Sequence, residues 1–205
     1  MLENKNTYRT IEAISEGFYK EKGSKFFAFA VPCKTEDEAK IYLSNWRKEH
    51  HQAVHVCYAF RFGSAKKQFR SSDDGEPSNS AGPPILGQIQ SFDLTNLLIG
   101  VVRYYGGTNL GVGGLIQAYR TAAKEALENA TILEQEDEYT IELLFGYEQM
   151  PAVMSLVKSI PITIIEQQFE LSCRLVGIIP VSKESAYKQL QDLNEVKLIQ
   201  HGIRT

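Results

Sequence analysis

The chain has 205 residues, of which 43% are hydrophobic and 23% charged, and a formal net charge of −3. That length suits one medium domain or two small ones, burying roughly 70% of the unfolded surface, and the composition excludes a disordered or fibrous chain. The slightly negative balance excludes a global basic field, so any polyanion binding has to come from a local patch.

Residues 8–14 and 24–32 read as two strands joined through a charged turn at Lys20-Glu21-Lys22-Gly23. Thr35 and Glu38 form a capping box, in which the hydroxyl accepts from the third helical N–H and the carboxylate reaches back. The helix after it carries Ala39, Tyr42, Leu43 and Trp46 on one face and ends near Lys48, His50 and His51. Residues 53–62 alternate as a strand, with Val54, Val56, Tyr58 and Phe60 on one side and Ala53, His55, Cys57 and Ala59 on the other. A basic, aromatic turn follows at 61–70, then a polar loop at 71–84 whose length points to function. Residues 85–90 begin a short helix or strand, and 96–105 form an apolar strand. Leu115, Ala118, Tyr119, Ala122 and Ala126 give the next helix an apolar stripe. The acidic segment 131–138 marks a boundary between domains at 1–133 and 138–205. Beyond it, strands at 139–146, 162–169, 171–179 and 196–199 and helices at 148–158 and 183–193, the second capped by Ser182, spell a split βαβ, ferredoxin-like pattern.

The most informative segment is 101–115, where Gly106, Gly107, Gly111, Gly113 and Gly114 crowd between a strand and a helix. Glycines there imply positive φ or close approach to the main chain, and a glycine-rich turn opening a helix leaves N–H groups at the positive end of the dipole. Two readings stand: an anion site flanked by Arg103 and Asn109, or a tight connection that packs a helix on a sheet. Ile116 occupies the place of the third glycine of a dinucleotide loop, and Gly111 is followed by Val112 instead of the Lys of a Walker loop.

Asp73-Asp74-Gly75-Glu76 sets three carboxylates in four residues. They can hold Mg²⁺ or act as an acid and base, or they can order the loop and accept hydrogen bonds from a ligand; the second reading is preferred. His51 and His55 have zinc-helix spacing, yet in a strand four residues span roughly 13 Å, so no shared metal is expected. His55 is left to line a cleft or to sit hydrogen-bonded in the core. Arg61, Lys66, Lys67 and Arg70, interleaved with Phe62 and Phe69, match a nucleic-acid contact in composition and equally a solvated turn. Ser24 and Lys25 form a cleft pair or a strand entry. No Gly-x-Ser-x-Gly elbow occurs. Cys33, Cys57 and Cys173 include no C-x-x-C pair and read as buried, reduced thiols. With no apolar leader core at Met1 to Lys5, and 26–31 too short to span a bilayer, a cytoplasmic protein is expected.

Three segments together resemble the IMPACT family in its two-domain bacterial form: Ala53-Val54-His55-Val56-Cys57-Tyr58-Ala59; Asp73-Asp74-Gly75-Glu76-Pro77 with Ala81-Gly82 and Pro84-Ile85-Leu86; and Arg103-Tyr104-Tyr105-Gly106-Gly107 through Leu110-Gly111-Val112-Gly113-Gly114-Leu115. The resemblance implies an α+β protein. Its N-terminal domain would be similar to the second domain of ribosomal small-subunit protein five, and its C-terminal domain to a ferredoxin-like domain of elongation factor G. Eukaryotic members regulate translation by blocking activation of the amino-acid-starvation kinase; for bacterial members RNA or ribosome binding is inferred from fold. Pro83 and Gln117 stand where the family usually has Arg, which removes two cations from the cleft.

The expectation is therefore a translation-associated protein that binds RNA or the ribosome. Arg103 and Arg120 would contact phosphate. Gly106, Gly107, Gly113 and Gly114 would present N–H groups, Tyr104 or Tyr105 a stacking surface, and Asp73, Asp74 and Glu76 would order the loop or accept from sugar hydroxyls. Ser24, Lys25, His55, Tyr58, Arg70, Gly75 and Asn109 complete the candidate surface. No catalytic residue, metal or cofactor is expected. A nucleotide- or phosphate-binding small-molecule enzyme of the same superfold and a protein-interaction regulator without nucleic acid remain the alternatives, and the oligomeric state is open.

Overall fold

The computed structural model describes residues 6–204; residues 1–5, on which the reading of no leader rests, and residue 205 lie outside the described part. The chain forms two compact units, residues 8–135 and residues 136–204 together with 6–7. Both are α+β. Among the described residues, no helix is long and apolar enough to cross a membrane.

In the first unit, β1 (Thr7–Ile11) pairs with β7 (Ile132–Glu136), so the acidic segment is in part a strand. The main sheet joins β2 (Ser15–Glu21), β3 (Ser24–Pro32), β4 (His55–Phe62), β5 (Gln68–Ser72) and β6 (Leu97–Tyr104) in the order β2-β3-β6-β4-β5. Strands β2 and β3 form a hairpin whose turn residues Lys22 and Gly23 both have positive φ, at 45° and 82°, the geometry that matches strand twist. Two of these strands differ from expectation. Segment 15–21 reads poorly as a strand because neither face is strongly apolar: Gly17 is bare, and a Cβ there would lie 2.4 Å from the Ala126 nitrogen. Segment 68–72 straddles the end of the basic turn expected at 61–70 and the start of the polar loop expected at 71–84, and it pairs with β4 through Phe60–Arg70 and Phe62–Gln68.

Three helices sandwich this sheet. Helix α1 (Glu36–Glu49) starts at Thr35, whose hydroxyl accepts from the Glu38 nitrogen at 3.2 Å, while the Glu38 carboxylate accepts from the Lys34 nitrogen at 2.8 Å. It packs Ala39 and Trp46 against Val31, Val56, Phe60, Leu98 and Val102, and Gly100 makes room for the indole, since a Cβ there would fall 2.2 Å from Trp46 Cζ3. Helices α2 (Gly82–Ser91) and α3 (Gly111–Glu128) cover the opposite face, where Phe26, Ala28, Cys57, Ala59, Ile99 and Val101 meet Ile85, Ile89 and the buried stripe Leu115, Ala118, Tyr119, Ala122 and Ala126. Helix α2 opens with Pro83 and Pro84, tolerated in a first turn whose N–H groups lack helical partners.

The second unit runs β8 (Glu138–Gly146), α4 (Met150–Ser159), β9 (Thr163–Gln168), β10 (Ser172–Pro180), α5 (Glu184–Gln191) and β11 (Lys197–Arg204). Its antiparallel sheet has the order β11-β8-β10-β9, the ferredoxin-like arrangement. Ile141, Leu143, Phe145, Cys173, Leu175 and Ile179 pack on Val153, Val157 and Leu190. Alternation sends Glu142 and Arg174 to the other face, where Arg174 pairs with Glu142 and with Glu166, the latter at 2.7 Å. Ser182 does not cap α5. It lies in a short 3₁₀ turn, its hydroxyl bonds Glu136 at 3.0 Å, and Lys183 takes the cap position.

Candidate functional site

Strand alternation and the order of the sheet divide the expected site residues between two faces. His55 lies directly opposite Arg103 across β4 and β6, and both share the α2/α3 face with Ser24. Lys25, Tyr58 and Tyr104 belong to the α1 face, where Tyr58 and Tyr104 pack against the aromatic core. Arg70 lies apart from the glycine segment and pairs with Glu36 at 2.9 Å.

The acidic loop is ordered by its own carboxylates. Asp73 Oδ1 accepts from the Ala81 and Gly82 nitrogens at 2.9 and 2.8 Å, and Oδ2 from the Asn79 nitrogen at 2.8 Å. Its charge thus sits at the positive end of α2, where the prolines have no N–H to offer. Asp74, with φ 45°, accepts from the Val56 nitrogen at 2.7 Å and from Arg47 at 2.6 Å. The Asp74 carbonyl lies 2.7 Å from His55 Nδ1; a carbonyl can only accept, so the proton is on Nδ1. Gly75, at φ 88°, turns the chain beside the imidazole.

Glu76 is buried, 8% exposed, and Arg103 is 6% exposed. Glu76 Oε1 accepts from Arg103 Nη1 at 2.6 Å and from the Tyr119 hydroxyl at 2.7 Å, and Oε2 lies 3.9 Å from His55 Nε2. The guanidinium sits 5.5 Å from the ring centres of Phe26 and Tyr105, and its Nε is buried without a hydrogen-bond partner among the described residues. This corrects the role expected of Arg103: its charge is neutralised inside the protein and supports the loop from below. Burial, with Cys57 and Glu76 as neighbours, drives the Tyr119 phenol far above its ordinary range, so it stays a donor to Glu76. Tyr119 reads in the sequence only as part of an apolar stripe. The signal for its role is the hydroxyl itself, which has to find a partner once the ring is buried.

Above this platform runs the glycine segment. The Gly106 nitrogen is not free, since it donates to Ser24 Oγ at 3.1 Å, and a Cβ on Gly106 would fall 2.0 Å from the Gly23 carbonyl carbon. The Tyr105 hydroxyl donates to Asn109 at 3.2 Å. Gly107 and Gly111 have φ of 83° and 72°, and among the described residues nothing lies within 4 Å of a Cβ built on Gly107, Gly111 or Gly113. Leu110 holds the N-cap position of α3 and provides no side-chain acceptor, so the first-turn amides lack a side-chain cap. Arg120 is elsewhere, lining a depression of about 470 Å³ with Pro83, Pro84, Gln88 and Ile116. Among the described residues, no group of three or more His, Cys, Asp or Glu is arranged to hold a metal ion.

Residues 22–127 match the family model of the Impact N-terminal domain. An IMPACT family member of Thermus thermophilus is 34% identical over 181 residues, covering 87% of this chain and 98% of that protein. One from Haemophilus influenzae is 30% identical, covering 87% and 88%. A crystal structure of a protein described only as hypothetical superposes with a TM-score of 0.75 at 28% identity, covering 95% of this chain and 97% of that one.

Proposed function

This chain belongs to the IMPACT family, and on that footing we propose that it acts in translational control by binding RNA on or near the ribosome through the glycine-rich mouth of α3. The observation that carries the reading is the bare mouth itself: an eighteen-residue helix that opens at Gly111-Val112-Gly113-Gly114 without a side-chain cap and with open space around Gly111 and Gly113. Amides at a helix N-terminus favour phosphate through hydrogen bonds and the dipole. The buried Arg103 holds Tyr105 against its guanidinium, and the Tyr105 hydroxyl bonds Asn109 just before α3. Kinship of the first unit with the second domain of ribosomal small-subunit protein five, and of the second with elongation factor G, belongs to the same reading. The nucleotide–Mg²⁺ alternative is disfavoured because the oxygens of Asp73 and Asp74 are already taken by amides and Arg47.

Gly113→Asp tests this. Gly113 lies within α3 with open space around it, and an acidic residue in the first turn stabilises a helix, so the variant folds while setting a negative charge where phosphate would bind. Co-sedimentation with ribosomes is expected to fall strongly while thermal stability holds or rises. Undiminished co-sedimentation overturns the proposal, and association that survives nuclease and high salt favours a protein partner instead.

A further inference from the structure

On the α1 face, beside the end of α1, three adjacent strands set Lys20, Lys25 and Tyr104 in one row, since Lys20 is opposite Lys25 and Lys25 opposite Tyr104. The next row holds Phe18, 43% exposed, against Phe27 with ring centres 4.9 Å apart. Phe27 meets Tyr104 edge-on at 5.8 Å and His50 in parallel at 6.5 Å. A cleft of about 360 Å³ opens here, lined by Gly23, Lys25, Phe27, His50, Tyr104 and Tyr105.

Two lysines directly opposite on neighbouring strands repel each other. Among the described residues neither Lys20 nor Lys25 has an acidic partner, and Lys22 adds a third exposed ammonium at the hairpin tip. On the same face of β2 the acid is Glu16, opposite Phe29 and four residue pairs away from Lys20, while Glu21 is on the other face and accepts from Tyr19. In a chain of net charge −3, this is a local cationic row beside the exposed ring of Phe18 and the half-buried rings of Phe27 and Tyr104. Ammonium groups track a phosphate backbone, and flat rings on a sheet stack unpaired bases, a combination that suits single strands better than duplex.

We propose that this corner of the sheet binds an unpaired segment of RNA, with one base stacked on Phe18 or in the cleft beside Tyr104 and the adjoining phosphates on Lys20 and Lys25. The proposal rests on the RNA reading above and adds to it a second surface and a preference for single strands.

The full chain is titrated against a 5′-labelled single-stranded RNA of about ten nucleotides and against the same sequence as a duplex, by fluorescence anisotropy over a range of salt. The single strand is expected to bind more tightly. Lys20→Gln/Lys25→Gln should reduce the slope of log affinity on log salt by about 1.4, the loss of two single-strand phosphate contacts. Phe18→Leu keeps an apolar side chain against Phe27 but removes the flat ring, and should weaken binding roughly 5- to 150-fold without altering that slope. Preference for duplex, or unchanged binding by both variants while Gly113→Asp still weakens it, overturns this inference and leaves the helix-mouth reading standing. If the unaltered protein binds neither the RNAs nor ribosomes, both readings fall together.

Discussion

Replacing Glu76 by methionine removes the acceptor for both the Arg103 guanidinium and the Tyr119 hydroxyl, each bonded within 2.7 Å in a buried setting. Removing one partner of a buried pair costs about 3–5 kcal/mol because the remaining charge is left uncompensated. Arg103 is badly placed to recover, since its Nε is already buried without a partner among the described residues. The orphaned Tyr119 hydroxyl adds about 1–3 kcal/mol, so a total of roughly 4 kcal/mol or more is expected, a large share of a domain's stability. The single tryptophan, Trp46, lies in the core of the first unit, so its fluorescence during urea unfolding reports that unit alone, and the loss appears as a lower midpoint with an unchanged slope. Glu76→Met/Arg103→Met should recover most of it, because a well-packed apolar pair can replace a buried ion pair at little cost and a thioether still packs against Phe26 and Tyr105. Adding Tyr119→Phe should recover the remainder. A cost below about 1 kcal/mol for the single variant, or a double variant no more stable than the single, would refute the view that this cluster is a closed electrostatic unit.

Two further outcomes follow from the protonation states. Burial pushes the Cys33 thiol up to about 12 and drives Cys57 higher still, and all three cysteines are buried; the folded protein should therefore react negligibly with a thiol reagent at neutral pH and fully in urea. A fast-reacting thiol in the native state would contradict the packing. The Asp93 carboxyl is held below its ordinary range by its bond to Lys66, with Arg61 and Arg9 adding to the effect. A depressed folded value means the stabilisation is present above the unfolded value and lost as pH falls through the folded one. Asp93 has φ 55°, a conformation that asparagine accepts, so Asp93→Asn should lower the urea midpoint at neutral pH and converge with the parent protein in strong acid. An equal gap at both pH values would show that the loss does not come from the Asp93 charge.

Much of the local architecture was legible from the chain alone because it depends on neighbours within a few residues. The Thr35 cap, the apolar stripe of α3, the alternation of β4 and the strand–helix succession of the second unit all follow from side-chain period and capping chemistry. Where a local signal was weak, an element was missed: β2 hides behind Gly17, which is small because α3 crosses it, and β5 hides among basic residues that only its pairing with β4 explains.

The candidate site shows the boundary most clearly. Its parts could be named from residue types, yet their roles were set by partners far away in sequence: Arg103 meets Glu76 across 27 residues, and Tyr119 meets it across 43. A guanidinium is equally suited to a phosphate and to a carboxylate, and burial decides between them. The periodicity of each strand determined which side chains share a face. Only the order of strands in the folded sheet decided which faces adjoin, placing Lys25 beside Tyr104 and His55 beside Arg103, because hydrogen bonding between strands is blind to separation along the chain.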